Sequence, residues 1–198
     1  MLGFIAPSRA EPGLSDGVVR LRPPRRSDHE AWAALRDSSR AFLEPWEPTW
    51  APDELSASAW RQRLRRYRQD RAQGSSLPLF IFEAGSGALV GGITLANIRY
   101  GVAQSASIGY WMGEPYAGRG LMSAALKLVI SHSFDTLRLH RLEAACIPGN
   151  NRSVRVLEKA GFAREGLLRS YLKIDGDWQD HYLYALIADD LRNATARD

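Results

Sequence analysis

The chain has 198 residues, 45% hydrophobic and 24% charged, with a formal net charge of +4 from 26 basic and 22 acidic residues. That is the size and balance of one globular domain with a real core, and the mild positive surplus permits an anionic partner without requiring one. A single cysteine, Cys146, excludes an intrachain disulfide and a multi-cysteine metal site.

Residues 1–17 carry Pro7, Pro12, Gly13 and Gly17 and read as a loose N-terminal arm, with the domain proper over 18–198. No basic segment followed by a long apolar run opens the chain, as a signal peptide would, and no apolar stretch approaches the ~20 residues of a membrane span. The expectation is a cytoplasmic protein. Residues 18–22 alternate apolar and basic and suggest a first strand, ended by Pro23 and Pro24. Ser27 followed by Glu30 has a capping-box pattern, ahead of a helix through Ala31, Trp32, Ala34 and Leu35. After a loop with Pro45, Pro48 and Pro52, residues 56–71 predict a second helix. Trp60, Leu64 and Tyr67 form its apolar stripe, and Arg61, Arg63, Arg65, Arg66, Arg68 and Arg71 occupy much of the rest.

Two strands, 79–83 and 88–98, join across Gly85-Ser86-Gly87 as a hairpin, and 106–112 is a third. Gly118-Arg119-Gly120 precedes a helix with Met122, Ala125, Leu126, Val129 and Ile130 on one face. A strand over 141–147, a short helix over 153–159 stopped near Gly161, and strands over 162–173 and 179–188 complete the chain. The prediction is one α+β domain, a mixed and mostly antiparallel twisted sheet flanked by helices.

The strand–glycine–helix stretch is the most informative. Glycines two apart at a helix start let backbone approach a ligand, and the first N–H groups of the helix can donate to a phosphate. Arg119 adds positive charge there. No Gly-Lys-Ser/Thr follows, and the three-glycine dinucleotide fingerprint is absent. About thirty residues later Asn150-Asn151-Arg152-Ser153 opens another helix, which ends in Gly161-Phe162.

Gly118-x-Gly120 after a strand, Asn150-x-x-Ser153 and Gly161-Phe162 together resemble the acetyl-CoA core of GNAT acetyltransferases, and the likeness runs over about residues 18–190. Phe42-Leu43-x-Pro45-Trp46-Glu47-Pro48 and Ile174-Asp175-Gly176-x-Trp178-x-Asp180-His181 are similar to the RimJ type, the ribosomal-protein-alanine N-acetyltransferases of the RimJ/RimL branch. The resemblance implies that amides of Gly118, Arg119, Gly120, Leu121 and Met122 bind the pyrophosphate of acetyl-CoA. It also implies that the strand ending Trp111-Met112 pairs with the pantetheine arm, and that Asn150 bonds near the thioester. Two positions depart from the common pattern. Pro115 stands where many relatives have Gln or Arg, and Leu157 stands where many have a tyrosine acid, so Ser153 inherits that role by resemblance to the RimJ/RimL branch.

The implied reaction needs a neutral amine, a polarised carbonyl and a proton for the departing thiolate. An N-terminal α-amine is deprotonated about 4 kcal/mol more cheaply than a lysine, so a weak base acting through water suffices. A backbone N–H near Met112 is the expected carbonyl polariser. Ser153 fits both a proton donor and a helix N-cap. Glu47, between two prolines, is the candidate for holding or deprotonating the amine. Glu44, Trp46, Asn97 and Tyr171 are further substrate-binding candidates. Asp180 with His181 could form a base pair of groups or serve structure. Cys146 needs only a packing role. His29, His132 and His140 show no metal spacing, and no metal is expected. The partner that the resemblance implies is a protein N-terminus, that of a ribosomal protein, with the arginine-rich helix 61–71 as a ribosome-docking surface and no membrane contact. Two other readings fit the residues: acetylation of an aminoglycoside or polyamine, and a non-catalytic ribosome-associated assembly factor.

Overall fold

The structure, a computed structural model, describes residues 13–195. The first twelve residues of the expected arm lie outside the described residues. The strands are β1 (Leu14–Ser15), β2 (Val19–Arg22), β3 (Leu77–Glu83), β4 (Leu89–Arg99), β5 (Ser105–Met112), β6 (Arg141–Cys146), β7 (Ala163–Ile174) and β8 (Asp177–Ile187). They form one sheet in the order β1-β2-β3-β4-β5-β6-β8-β7, with β5–β6 the parallel pair. The helices are α1 (His29–Ser38), α2 (Arg40–Leu43), α3 (Ala57–Ala72), α4 (Leu121–Ser131), α5 (Asn151–Lys159) and α6 (Ala188–Thr195).

Local sequence explains most of these elements. In β2 the apolar Val19 and Leu21 are fully buried, while Arg20 and Arg22 lie over the Phe82 ring on the other face. Ser56 caps α3, its Oγ accepting from the Ala59 N–H at 3.1 Å, and Trp60 and Leu64 are buried as their spacing predicts. Pro78 is tolerated in β3 because β2 pairs only from Phe80 onward, so the missing N–H falls beyond the end of β2.

Two expectations are corrected. The sheet starts at Leu14, which pairs with Leu21, rather than at residue 18. The Ser27–Glu30 capping box does not form. Residues Arg26–Asp28 make a 3-10 turn, and Asp28 accepts from the Arg25 N–H at 2.7 Å while holding Arg22 through both oxygens. A buried carboxylate with a guanidinium to satisfy outcompetes a hydroxyl for that position.

The sheet carries a core on each face. Aliphatic side chains of α4 and α5 pack on one face with Ile108, Ala144, Cys146 and Tyr184. The other face holds an aromatic cluster from α1, α3 and β3, with Trp32 and Trp60 stacked at 4.8 Å and Trp60 and Phe80 at 5.9 Å. Trp111 closes that cluster edge-on to Phe80, and a Cβ on Gly92 would collide with its indole nitrogen. The decisive feature for function lies between β5 and β6. They pair only over Ser105–Ser107 and Arg141–Glu143, after which each strand continues without the other.

Candidate active site

Where β5 and β6 diverge, a cavity of about 980 Å³ passes between them. Ile108 to Met112 line one wall and Ala144 to Ile147 the other. Their facing backbone groups are unpaired across the gap, so an extended amide-containing ligand can bond there as an added strand would. Consecutive strand residues project to opposite faces. Tyr110 therefore points to the α4/α5 side of the sheet and Trp111 to the aromatic side.

At the α4/α5 mouth the glycine turn takes the conformation its sequence requires. Gly118 and Gly120 have φ of +77° and +79°, a left-handed backbone that costs an L-residue about 1–2 kcal/mol. Gly120 caps α4, and the Ala124 N–H is the first to return to a carbonyl, that of Gly120 at 3.0 Å. The amides of Leu121, Met122 and Ser123 precede it at the open, positive end of the helix, beside the cavity. The Arg119 side chain turns away from it, pairing with Glu83 at 2.5 Å and lying over the Tyr116 ring. The cations that line the cavity are Arg152, Arg155 and Lys159 of α5 and Lys173 of β7.

Asn150, not Ser153, is the N-cap of α5: its Oδ1 accepts from the Ser153 N–H at 3.1 Å. This corrects the capping account of Ser153 and leaves the amide NH2 of Asn150 for a ligand. The Ser153 hydroxyl instead meets the Tyr110 hydroxyl at 2.8 Å. Burial, with a smaller contribution from Cys146, pushes the Tyr110 phenol above its ordinary range, although its bond to Ser153 opposes the shift. Tyr110 thus stays protonated and can donate to Ser153 Oγ, freeing the serine proton for the cavity. Cys146 also lines this wall, its thiol pushed up mainly by burial.

The aromatic-side mouth is built by residues 42–50 and the β7–β8 hairpin. Trp46 is 39% exposed and lines the cavity, so it is no core residue. Glu47 also lines it, but its carboxylate accepts from both Arg36 terminal nitrogens at 3.1 and 2.5 Å and from Trp50 Nε1 at 2.9 Å. Arg36 is itself buried, its guanidinium 4.2 Å from the Trp50 ring and 5.1 Å from Trp111. The Glu47 carbonyl accepts from the Asp175 N–H at 2.9 Å, tying this loop to the hairpin turn.

Three of the sequence candidates lie elsewhere. Glu44 is half-exposed and pairs with Arg40 at 3.2 Å. Asn97 sits in the β4 bulge with φ of +51°, on an exposed position near Ser107. Tyr171 lies outside the lining and meets the His181 ring edge-on at 5.7 Å. Asp180 and His181 do not form a pair. They project to opposite faces, Asp180 accepting from the Ser170 N–H at 2.8 Å and His181 Nδ1 bonding the Gln179 carbonyl at 3.0 Å.

The profile of the acetyltransferase (GNAT) domain family matches residues 19–163. The chain belongs to the GNAT acetyltransferase family. This acetyltransferase is 35% identical to the ribosomal protein uS5-alanine N-acetyltransferase of Escherichia coli over 175 residues, 87% of this chain and 88% of that one. Its fold matches that of Mycobacterium smegmatis RimJ in complex with CoA-disulfide, with a TM-score of 0.83, 38% identity, and 91% and 90% of the two chains covered. The ribosomal-protein-S5-alanine acetyltransferase of Vibrio fischeri superimposes with a TM-score of 0.84 at 29% identity, covering 91% and 98%. It is an acyltransferase of the RimJ/RimL type.

In this acetyltransferase the residues that sequence reasoning missed share one trait, a partner distant in the chain. Tyr110 reads as an ordinary strand aromatic until α5 brings Ser153 to it, 43 residues on. Arg36 reads as a helix-surface cation until residues 46–50 fold over it. A helical wheel of α5 is a usable signal for Arg152, Arg155 and Lys159, since these cluster away from Leu157.

Proposed function

We propose that this acyltransferase moves an acetyl group from acetyl-CoA to the N-terminal α-amine of a ribosomal protein in the cytoplasm. One observation carries the reading: a single cavity crosses the sheet, with helix amides and cations at one mouth and a carboxylate-bearing aromatic loop at the other. The residues fit the cosubstrate. The amides of Gly118 to Ser123, with Arg152, Arg155 and Lys159, suit its phosphates. The free edge of β5 through Trp111 and Met112, with the Asn150 amide, suits its pantetheine. Bound there, acetyl-CoA supplies the activated acyl group. The chain's own contribution is to hold the thioester in the gap, to donate N–H groups near Met112 to the carbonyl, and to offer a proton from Ser153 backed by Tyr110. On the acceptor side, Trp46 supplies an apolar wall and Glu47 a negative charge for an incoming ammonium. Glu44, Asn97 and Tyr171 lie too far out to line that pocket.

The α-amine is favoured over lysine because no activated base is needed to obtain its neutral form in useful amounts. Mass spectrometry of products from a mixture of peptides beginning with Ala, Ser, Thr or Met, an internal-lysine peptide and polyamines tests this. The expected product is an Nα-acetyl peptide formed at least about tenfold faster than any acetyl-lysine or acetyl-polyamine. Preferential acetylation of a small amine overturns it. Thermal unfolding that is unmoved by saturating acetyl-CoA overturns the catalytic reading altogether.

Ribosome association through α3 rests on charge. Arg61, Arg65, Arg66 and Arg68 are exposed along the helix, and Arg68 and Arg71 join Arg25 and Arg26 around a cleft of about 140 Å³. Such a surface fits RNA phosphates. Replacing Arg61, Arg65 and Arg68 with Gln should lower ribosome affinity and flatten its salt dependence by about two to three units of log–log slope. An unchanged slope removes this docking surface.

A further inference from the structure

The acceptor mouth contains the imidazole of His181. His181 is buried, only 3% exposed, yet lines the cavity. Its Nδ1 lies 3.0 Å from the Gln179 carbonyl, which can only accept. Nδ1 therefore carries a proton, and in the neutral ring Nε2 holds the lone pair. Among the described residues the ring's hydrogen bond is the one at Nδ1, and none is made at Nε2. The Tyr171 ring, edge-on at 5.7 Å, limits how the imidazole can turn.

Its side of the sheet follows from register. Cys146 pairs with Tyr182 and Ala144 with Tyr184, and these side chains belong to the core under α4 and α5. His181 alternates with them and projects to the opposite face, the one occupied by Trp46, Glu47 and Trp111. The Tyr110–Ser153 pair lies on the first face. Acid and imidazole thus flank the gap between β5 and β6 from opposite sides, as transfer between two substrates entering from opposite mouths requires.

We infer that His181 Nε2 takes the proton from the acceptor amine as it attacks the thioester. The amine nitrogen forms the new C–N bond, the C–S bond breaks, and the ammonium proton passes to Nε2. The departing thiolate receives a proton from Ser153, whose oxygen Tyr110 supports by its hydrogen bond; Ser153 then regains a proton from water as the one held at Nε2 is released to it. Imidazole suits this work near neutral pH, whereas both Glu47 oxygens are already occupied by Arg36 and Trp50. The other ionisable groups around His181 are Glu47 and Lys173 of the lining, Arg36 on Glu47, and Tyr171, which lies outside the lining against the imidazole edge. The inference rests on the acyltransfer reading above.

His181→Asn tests it, because the asparagine amide can still donate to the Gln179 carbonyl while no base remains. The measurements are kcat and KM with an N-terminal peptide across pH, acetyl-CoA affinity, and thermal unfolding. The expected result is acetyl-CoA binding within about twofold of wild type and kcat lower by about a hundredfold or more. The acidic limb of the kcat profile should give way to a rise that continues into alkaline pH. Added imidazole should restore part of the activity of His181→Ala. A kcat within about threefold of wild type, an unaltered pH profile, or a loss matched by loss of cosubstrate binding overturns the inference. A wild-type protein that acetylates no amine overturns the parent reading first and this one with it.

Discussion

Replacing Glu47 by Gln should unlock the acceptor loop. The carboxylate accepts two hydrogen bonds from Arg36 and one from Trp50 Nε1, and the pair is 8% and 19% exposed. An amide keeps the shape but removes the charge, and its NH2 faces an Arg36 nitrogen, donor against donor. Arg36 is then left charged among Trp32, Trp50 and Trp111. Breaking a buried pair from one side costs about 3–5 kcal/mol, and the partial exposure of Glu47 places this case near about 3 kcal/mol. For a chain of this length that lowers Tm by about 6–12 °C. Calorimetry of Glu47→Gln beside Glu44→Gln checks it, because the exposed Glu44–Arg40 pair should be worth about 0.5 kcal/mol or less. Adding Arg36→Met to Glu47→Leu should recover stability relative to Glu47→Leu alone, with a coupling of about 1–3 kcal/mol. If Glu47→Gln and Glu44→Gln melt within about 2 °C of each other, the clamp argument is refuted.

Ser153→Ala should lower kcat by about a hundredfold, the low end for a general acid because a thiolate leaves readily, with acetyl-CoA affinity nearly unchanged by calorimetric titration. Tyr110→Phe should cost less in kcat than Ser153→Ala, and the double variant little more than Ser153→Ala alone, since the two hydroxyls act in series. Gly120→Ala should destabilise the folded chain by about 1–2 kcal/mol, because residue 120 has a left-handed backbone with φ of +79°; a melting temperature equal to wild type would contradict this. Burial lowers the His132 pKa below its usual 6.5. The unfolded chain then binds that proton more readily than the folded one, so stability is present above pH 6.5 and is lost as pH falls through and below that value. His132→Gln should flatten the acid side of a Tm-against-pH curve, and a curve parallel to wild type would contradict the assignment.

The sequence by itself determined what is local. Alternation over residues 18–22, the Trp60–Leu64–Tyr67 stripe with Ser56 before it, the Gly85-Ser86-Gly87 hairpin and the left-handed glycines ahead of α4 each depend on neighbours within a few residues. Periodicity and backbone sterics state them directly. The Ser27–Glu30 capping pattern failed because Arg22, outside its window, gave Asp28 a better partner. Motif resemblance singled out the glycine turn and Asn150 for the same reason: helix-end amides and a cap are properties of short segments.

Tertiary structure alone decided the rest. Two strands part after three paired residues, Tyr110 meets Ser153, Glu47 lies on Arg36, and His181 lines the cavity from the face opposite Tyr110. Each contact links segments whose relative placement depends on sheet register and on which face a side chain takes. A one-residue slip would reverse every face, so no reading confined to neighbouring residues can specify them.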